Sequence, residues 1–361
     1  MNSMQLVQFG YMNSSWNLNP IKFQPVNLLV GKNAVGKSKV IKSLSNAVHY
    51  ILQTADKNND SSFVATFNFE SSRENFYYQF TYMNGKVSAE TLLKESEEGG
   101  LEVLLKRDSE GVFLHGESIN PPEDKLVLHV RRDTVQYPYF EKIVSWAEHV
   151  CGHRFNEMEY AGDYGTYSSI SKFDSNLYEI VKSLPEDAMA RIIQQANDLG
   201  YPLESIVPYE YGDKFKVVFF KEQNIKDSLM YFQMSKGMFR TLYLLIYMEY
   251  LAYIKKPSML LVDDLCEGLD YDRSTRLGRI LFDFCLQHDI QLIASSNDSF
   301  LMDVVDLKYW NILRRTGSVV EGINHSTHPD LFDDFGFTGL SNFDLFSSDY
   351  IARHLTKKDD E

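Results

Sequence analysis

The sequence predicts an α/β protein with a phosphate-binding loop, an antiparallel β lobe and a helical insertion. Residues 31–38 form a motif with glycine and lysine between an apolar run and a segment with helical spacing. Residues 62–130 alternate between apolar and polar side chains, and residues 139–199 have mostly helical spacing. We therefore divide the chain into a phosphate-loop and antiparallel-sheet lobe, a mainly helical insertion, and a second lobe with an aromatic-rich C-terminal segment: residues 1–136, 137–212 and 213–361.

The motif at residues 31–38 fits the pattern G-x-x-x-x-G-K-[ST]. The preceding residues 26–30 predict a buried strand, and apolar side chains between residues 40 and 52 lie on one face of a predicted helix. A strand, a glycine-bearing loop and a helix N-terminus form the arrangement that binds a polyphosphate. An ordinary glycine-rich turn is the alternative, and the flanking strand and helix disfavour it.

Each residue type in this loop has a chemical role in a phosphate site. Gly31 and Gly36 permit positive φ and a close approach of the backbone to the ligand. The loop N–H groups and the helix N-terminus attract the anion. Lys37 neutralises the β- and γ-phosphates, and the Ser38 hydroxyl binds Mg²⁺. The predicted nucleotide contacts are Gly31, Asn33, Gly36, Lys37 and Ser38.

Composition indicates a globular protein of a reducing compartment. Of the 361 residues, 44% are hydrophobic and 24% charged, which suffices for a real core. The cysteines at 151, 266 and 285 have neither paired nor metal-type spacing. No secretory signal is visible, and the longest apolar stretch, residues 241–254, is too short to span a bilayer and predicts a buried helix. We expect a cytoplasmic protein without a membrane partner.

The net charge of −14 argues against electrostatic binding of nucleic acid by the whole surface, because counterion release needs clustered lysine and arginine. A local basic groove remains open as an alternative. The pairs Arg131-Arg132 and Arg314-Arg315 are candidates for contact with nucleic acid or phosphates. Such pairs are more often solvated or ion-paired.

Secondary structure can be predicted along the middle and the end of the chain. Strands are predicted at residues 63–69, 75–82, 87–93, 101–105, 112–114, 126–130 and 215–220. Helices are predicted at residues 139–150, 176–184 and 187–199, with a polar loop at 162–169. The aromatic-rich residues 332–346 are expected to pack onto the core, with a docking surface as the alternative.

A second polar cluster follows the apolar residues 259–262, where Asp263 and Asp264 stand together. A strand beside the phosphate loop would let Asp263 hold Mg²⁺ and Asp264 activate the attacking water. Apolar strands often end in acidic residues, so this motif alone leaves an ordinary strand end open.

The order of three segments resembles the ATP-binding-cassette ATPases. These are the phosphate loop, the run Met-Ser-Lys-Gly-Met-Phe-Arg at residues 234–240, and residues 260–270. Within that family the chain looks most like the RecF, SMC and OLD-type branch, which is common in DNA repair and bacterial antiphage systems. The resemblance covers the two ends of the chain, whereas residues 45–230 match no family that we can name.

The resemblance implies ATP and Mg²⁺ as cofactors and a composite site between subunits. Ser235 and the Gly237 N–H would contact the γ-phosphate of ATP held by a second subunit. Asp270 stands where the family has the D-loop aspartate of the dimer interface. The implied assembly is an ATP-dependent head-to-tail homodimer or a higher oligomer. A helix start capped by Ser235 is the ordinary alternative.

Two positions depart from the family pattern. The family has glutamate where this chain has Asp264, and Glu267 is an alternative residue for activating water. The family has histidine where Asn297 stands, and an amide can donate a hydrogen bond but carries no charge. The candidate catalytic residues are therefore Asp264, Glu267 and Asn297, and slow hydrolysis is expected. For the glutamine that senses Mg²⁺ we prefer Gln136 over Gln79.

Two functions of different kinds fit these observations. The first is an ATPase whose ATP-dependent dimer regulates DNA or RNA processing or an effector protein, in antiphage defence or DNA repair. The second is a nucleotide-switched scaffold with little hydrolysis that holds an effector, a nuclease or a toxin, in check. The long separation of Ser38 from Ser235 disfavours a transporter subunit, and a small-molecule kinase leaves Ser235 and Gly237 unexplained.

Overall fold

A 14-stranded mixed sheet organises the described residues of the computed structural model, which are residues 4–55, 60–69, 74–96, 99–153, 176–212, 215–348, 350–351 and 354. Its strands are β1 (Met4–Met12), β2 (Asn17–Lys22), β3 (Val26–Val30), β4 (Ser61–Phe69), β5 (Glu74–Met83), β6 (Lys86–Glu95), β7 (Leu101–Asp108), β8 (Gly111–Leu114), β9 (Glu117–Ile119), β10 (Val150–His153), β13 (Ser258–Val262), β14 (Ile290–Ser295), β15 (Trp310–Thr316) and β16 (Val319–Ile323). The strands β11 (Leu203–Tyr211) and β12 (Phe215–Glu222) pair separately as a hairpin.

Helices in the described part of the chain cover the parallel half of this sheet and line the lobe. They are α1 (Lys37–Ile51), α2 (Val127–Val130), α3 (Pro138–Glu148), α4 (residues 176–183), α5 (Glu186–Asp198), α6 (Lys236–Ile254), α7 (Tyr271–Gln287), α8 (Ser299–Val304), α9 (Pro329–Gly336) and α10 (Asn342–Ser347). None of these described helices has both the length and the apolar character that crossing a bilayer requires.

The sheet has a parallel half and an antiparallel lobe. Strands β10, β13, β14, β3 and β15 are adjacent in that order and parallel. Beyond them lie β16, β2 and β1, and then the antiparallel run from β4 to β9. The carboxyl ends of β13, β14, β3 and β15 therefore meet at one edge. Ligands of parallel α/β sheets bind at such an edge.

Both faces of the parallel half are buried. In β3, Leu28 belongs to the core cluster that includes α6 and α7, while Leu29 belongs to the cluster that includes α1, α3 and the antiparallel lobe. In β13, Leu260 and Leu261 divide between the two clusters in the same way. Parallel strands covered on both faces read as continuous apolar runs, which is why residues 26–30 and 259–262 stand out in the sequence.

The predicted buried helix is confirmed as α6. Its side chains are buried on almost every side, including the carboxylate of Glu249. Arg191 of α5 holds that carboxylate with two hydrogen bonds, from Nε to Oε1 at 2.9 Å and from Nη2 to Oε2 at 2.8 Å. A bidentate arginine satisfies the hydrogen-bonding capacity of a buried carboxylate. Glu249 is therefore a structural residue that fixes α5 on α6.

Several predicted elements are confirmed and two need correction. The α/β class and the antiparallel strands of residues 62–114 are confirmed. Residues 126–130 were predicted as a strand, and this is wrong because they form the short helix α2. Its first N–H groups donate to side chains, Leu126 N to His129 Nδ1 and Val127 N to Glu90, instead of to a neighbouring strand.

The described residues between 137 and 212 are less purely helical than expected. They contain α3, α4 and α5, but β10 joins the main sheet beside β13, and β11 was missed. Pro208 lies within β11 and weakens the sequence signal for a strand. The polar loop predicted at residues 162–169 lies outside the described residues. The division of the chain at residues 136 and 212 stays a prediction.

The aromatic-rich C-terminal segment packs onto the core as expected. Phe332, Phe335 and Leu345 are buried in the cluster that includes α6. Phe337 is the exception, since it is 90% exposed. The segment therefore covers the sheet near β15, where it also forms one wall of a cleft described below.

Candidate nucleotide site

The phosphate loop joins β3 to α1 and has the backbone that its glycines predict. Gly36 has a φ of 120° and Ala34 a φ of 62°. A Cβ at Gly31 would lie 2.7 Å from Val35 Cγ1 and 3.1 Å from the Leu313 carbonyl, so only glycine fits there. No side chain caps the start of α1, which leaves its first N–H groups available to an anion.

Lys37 is buried and folds back over the loop. Its Nζ donates a hydrogen bond of 2.7 Å to the Gly31 carbonyl. Burial lowers the pKa of Lys37, while the nearby carboxylates of Asp264 and Asp263 act in the opposite direction. Ser38 follows at the exposed start of α1. The lysine, the Ser38 hydroxyl and the loop N–H groups thus lie together at the edge of the sheet.

Asp263 and Asp264 follow β13 beside this loop and share a partner on β14. The Ser295 hydroxyl donates to Asp263 Oδ1 at 2.7 Å and accepts from the Asp264 N–H at 2.9 Å. Asp264 has a φ of 52°, a left-handed conformation that aspartate tolerates better than most residues. Ser295 therefore fixes both acidic residues, and it was missed in the sequence, where it is simply the last residue of an apolar strand.

Asp264 is the half-buried carboxyl group of the site. Burial raises its pKa first, and the charges of Asp263 and Glu267 raise it further, whereas Lys37 and Arg240 lower it. Its carboxylate accepts no hydrogen bond from the described residues. Glu267, the alternative candidate, is held by the buried Arg240, from Nη2 to Oε2 at 2.9 Å. The geometry therefore favours Asp264 as the group that is available to a water molecule.

Asn297 lies across the site from the acidic residues. Its Nδ2 is 3.3 Å from Oδ1 of Asn33 in the phosphate loop. The two amides bring the end of β14 into contact with the loop, and the roles predicted for both residues stay predictions. Both side chains are exposed, so either amide can turn toward a ligand.

The segment with Ser235 and Gly237 lies apart from this loop. Ser235 is exposed at the start of α6, where its Oγ accepts from the Met238 N–H at 3.3 Å. A Cβ at Gly237 would lie 3.0 Å from the Gly268 carbonyl and 2.9 Å from Leu269 Cδ2. Among the described residues, no hydrogen bond joins residues 234–240 to residues 31–38. Ser235 therefore also acts as an ordinary N-cap of α6.

Asp270 begins α7 directly after the segment that touches Gly237. Its Oδ1 accepts from the Arg273 N–H at 3.0 Å, and its Oδ2 accepts from Arg273 Nη1 at 2.7 Å. The N–H hydrogen bond and then the arginine charge lower the pKa of Asp270. Ser235 and Asp270 are exposed helix caps, and the buried Gly237 lies against residues 268–269, which lead directly into Asp270.

Two further predictions concern the turn that follows α2. Gln136 lies in an exposed turn, where its N–H donates to Asp133 Oδ1 at 2.8 Å, and its role stays a prediction. Arg132 is ion-paired with Glu141 at 2.6 Å, which is the ordinary alternative for such a pair.

Trp16 is a residue beside the phosphate loop that the sequence analysis did not identify. Its buried ring would lie 3.4 Å from a Cβ at Gly36, and its Nε1 has no hydrogen-bond partner among the described residues.

Comparison with known proteins agrees with this geometry. Residues 26–303, well over half of the chain, match the model of the family described as "AAA domain, putative AbiEii toxin, Type IV TA system". The chain belongs to this family. This AAA domain is a P-loop ATPase domain, and the matched residues include the phosphate loop, Asp263, Asp264 and Asn297. The prediction of a P-loop ATPase is thus confirmed.

The remaining comparisons are more distant. No curated protein matches the chain in sequence. Among solved structures, the AAA domain is similar to the SmcHead crystallised with the C-winged helix domain of ScpA, at 13% identity and a TM-score of 0.47. That alignment covers 88% of this chain and 96% of the other.

Proposed function

We propose that this AAA domain binds and slowly hydrolyses ATP as a head-to-tail homodimer or higher oligomer. The observation that carries the proposal is the separation of two anion-binding features on one chain. The phosphate loop leads into the uncapped start of α1, while Ser235 caps the exposed start of α6, and no hydrogen bond between described residues joins the two segments. A second copy arranged head to tail would bring its own Ser235 and Gly237 N–H to the γ-phosphate.

The residues present fit ATP and Mg²⁺. The close approach at Gly31 and the uncapped start of α1 form a cradle of backbone N–H groups. Mg²⁺ is usually held by one or two protein oxygens together with phosphates, and Ser38 and Asp263 supply two such oxygens. When bound, the ion neutralises phosphate charge. Lys37 binds the phosphates, and Asn297 donates a hydrogen bond to the γ-phosphate or to the attacking water.

Asp264 is the proposed general base. Its pKa is raised above the ordinary value of aspartate, which makes it a better proton acceptor than an unperturbed aspartate. Its side chain is one carbon shorter than the glutamate of related ATPases, so water is held less well. The uncharged Asn297 adds less stabilisation than a protonated histidine. Both features support slow turnover and a role for ATP as a conformational clamp.

The proposed partner is an effector protein, a nuclease or a toxin, with nucleic acid as a further ligand. The description of the family, which names a putative toxin and a toxin–antitoxin system, supports an effector partner. On this proposal the ATP-dependent assembly regulates the effector in antiphage defence or DNA repair. The second candidate, a scaffold with little hydrolysis, is favoured by the substitutions at Asp264 and Asn297.

Mass in solution tests the assembly. With ATP and Mg²⁺ the wild type is expected to double in mass, and Lys37→Ala and Ser235→Arg are expected to stay at the mass without ATP. Ser341→Arg is the matched control, since Ser341 is also an exposed N-cap, at the start of α10. Assembly that is indifferent to ATP, or equally lost in Ser341→Arg, would contradict the proposal.

Phosphate release then separates the two candidates. For an ATPase, Asp264→Ala lowers phosphate release at least tenfold while ATP-dependent assembly persists. Asp264→Glu, which restores the longer side chain, is expected to raise it. For a scaffold, phosphate release from the wild type is already at background and neither variant changes it.

A further inference from the structure

A cleft of about 500 Å³ lies beside the phosphate loop at the carboxyl end of β15. Its walls are loop residues 32–35 on one side and the C-terminal segment on the other. Because β15 lies on the side of β3 away from β14 and β13, the cleft is on the opposite flank of the loop from Asp263 and Asp264. Asn33 lines the cleft and also reaches Asn297. Its volume lies in the range of small-molecule sites.

The cleft is cationic in an acidic protein. Lys32, Arg314 and Arg315 line it, and among the described residues no acidic side chain lines it and no carboxylate forms an ion pair with any of the three. Glu321 lies opposite Arg314 in the strand register and offsets one charge from the neighbouring strand. Three cations and one carboxylate leave a charge of about +2, which equals the charge of a phosphate monoester in magnitude.

Arg315 connects the cleft to the phosphate loop. Its Nη1 donates to the Ala34 carbonyl at 3.3 Å, and its Nε donates to the Gly317 carbonyl at 2.8 Å. Ala34 has a positive φ of 62°. The hydrogen bond from Arg315 to its carbonyl helps to hold this uncommon conformation. A ligand that recruits the Arg315 guanidinium would therefore act directly on the loop backbone.

The opposite wall of the cleft is apolar. Phe346 and Ile351 of the C-terminal segment face it together with Ile312 and Leu313 of β15. An aromatic ring next to arginines suits a ligand with a phosphate at one end and a flat base at the other. A long nucleic acid fits less well, because phosphates along a strand need a row of cations and the chain carries a charge of −14.

We propose that this cleft is a second, regulatory site for a nucleoside monophosphate. The phosphate binds Arg314, Arg315 and Lys32, and the base lies against Phe346. Binding draws Arg315 from Ala34 and so changes the affinity of the phosphate loop for ATP. The site does not depend on the proposed ATPase activity, because none of its cations belongs to the hydrolytic residues.

Calorimetric titration of the full chain with AMP tests this. Lys37→Ala is the starting protein, so that the phosphate loop contributes little, and adenosine and inorganic phosphate are the comparison ligands. AMP is expected to bind at least about tenfold more tightly than either. Arg314→Ala/Arg315→Ala is expected to lose AMP binding, and Phe346→Ala to weaken AMP without affecting phosphate.

Lys256→Ala/Arg279→Ala is the matched control, since both side chains are exposed and form no ion pair with described residues. It removes the same charge and should bind AMP like its parent. Arg314→Ala alone guards against a folding defect, because that side chain makes no hydrogen bond to the described residues. AMP binding that survives Arg314→Ala/Arg315→Ala, or an oligonucleotide that binds more tightly than AMP, would overturn the proposal. Failure of ATP to bind at Lys37 would leave this test intact.

Discussion

The two halves of the sheet hold their carboxyl groups in opposite ways. In the parallel half, Asp264 stands at a strand end beside Lys37, half-buried and without a hydrogen bond to its carboxylate from the described residues. In the antiparallel lobe, Glu90 is fully enclosed. The Tyr78 hydroxyl donates to its Oε1 at 2.7 Å, and the Val127 N–H donates to both of its oxygens at 2.9 and 3.0 Å.

Both groups have a raised pKa, but the cause and the consequence differ. Burial raises the pKa of Glu90 to about 7 against these hydrogen bonds and the charge of Arg107, which lies 3.8 Å away. For Asp264, neighbouring acidic residues add to a smaller burial effect. A perturbed pKa therefore does not identify a reacting group by itself. Access to the edge of the sheet where ligands bind is also needed to identify a reacting group. Of Glu90 and Asp264, only Asp264 has that access.

The largest difference is expected from removal of each carboxylate. Glu90→Ala leaves Arg107, Tyr78 and the Val127 N–H in the core without their partner and should lower the free energy of unfolding by about 3–5 kcal/mol. Asp264→Ala relieves repulsion with Asp263 and should change it by less than about 1 kcal/mol. Urea unfolding measures both. Equal losses would contradict the contrast between the two halves.

The pH dependence of stability gives the next largest effect. Glu90 has a folded-state pKa of about 7 against an ordinary value of 4.5, so the folded state binds the proton more tightly. Its stabilising contribution is present below pH 4.5 and is lost as the pH rises to 7. The loss is about 3 kcal/mol. Glu90→Gln should not show this loss of stability. Identical pH profiles for the wild type and the variant would exclude Glu90 as its source.

Lys37→Ala affects the ligand edge instead. Loss of a charge-assisted contact with the phosphates should weaken ATP binding about 30-fold or more. Lys42→Ala removes an exposed lysine from the same helix and should leave the affinity nearly unchanged. Fluorescent ATP titration measures both variants, and Glu90→Gln belongs in the same series because it should bind ATP like the wild type.

The smallest effect concerns Gly237. A Cβ there would press on the Gly268 carbonyl at 3.0 Å, so Gly237→Ala should lower the unfolding free energy by about 1–2 kcal/mol and disturb the start of α6 at Ser235. At Gly336 of α9 a Cβ would meet nothing within 4 Å. Gly336→Ala should therefore be neutral or stabilising by about 0.5 kcal/mol. Thermal unfolding compares them, and a stabilised Gly237→Ala would refute the close contact.

The parts of the site that the sequence predicts are local or lie at strand ends. The loop at residues 31–38 carries its own strand, turn and helix signals, and the acids after residues 259–262 follow from the carboxyl-end rule. Ser295 and the Arg240–Glu267 pair were not predicted, because their partners are distant in sequence and no spacing rule links them. The five residues of 126–130 are too few to separate a strand from a helical turn.

Mixing two inactive variants tests the shared site most directly. In a head-to-tail dimer of Lys37→Ala with Ser235→Arg, one composite site carries both substitutions and the other is wild type in every contact. We expect each variant alone to release no phosphate above background. An equimolar mixture should recover up to about half of wild-type activity, since only the mixed dimer assembles and it carries one intact site of two. If the mixture stays as inactive as its components while both variants remain folded, the composite site is wrong and the chain acts through its own residues alone.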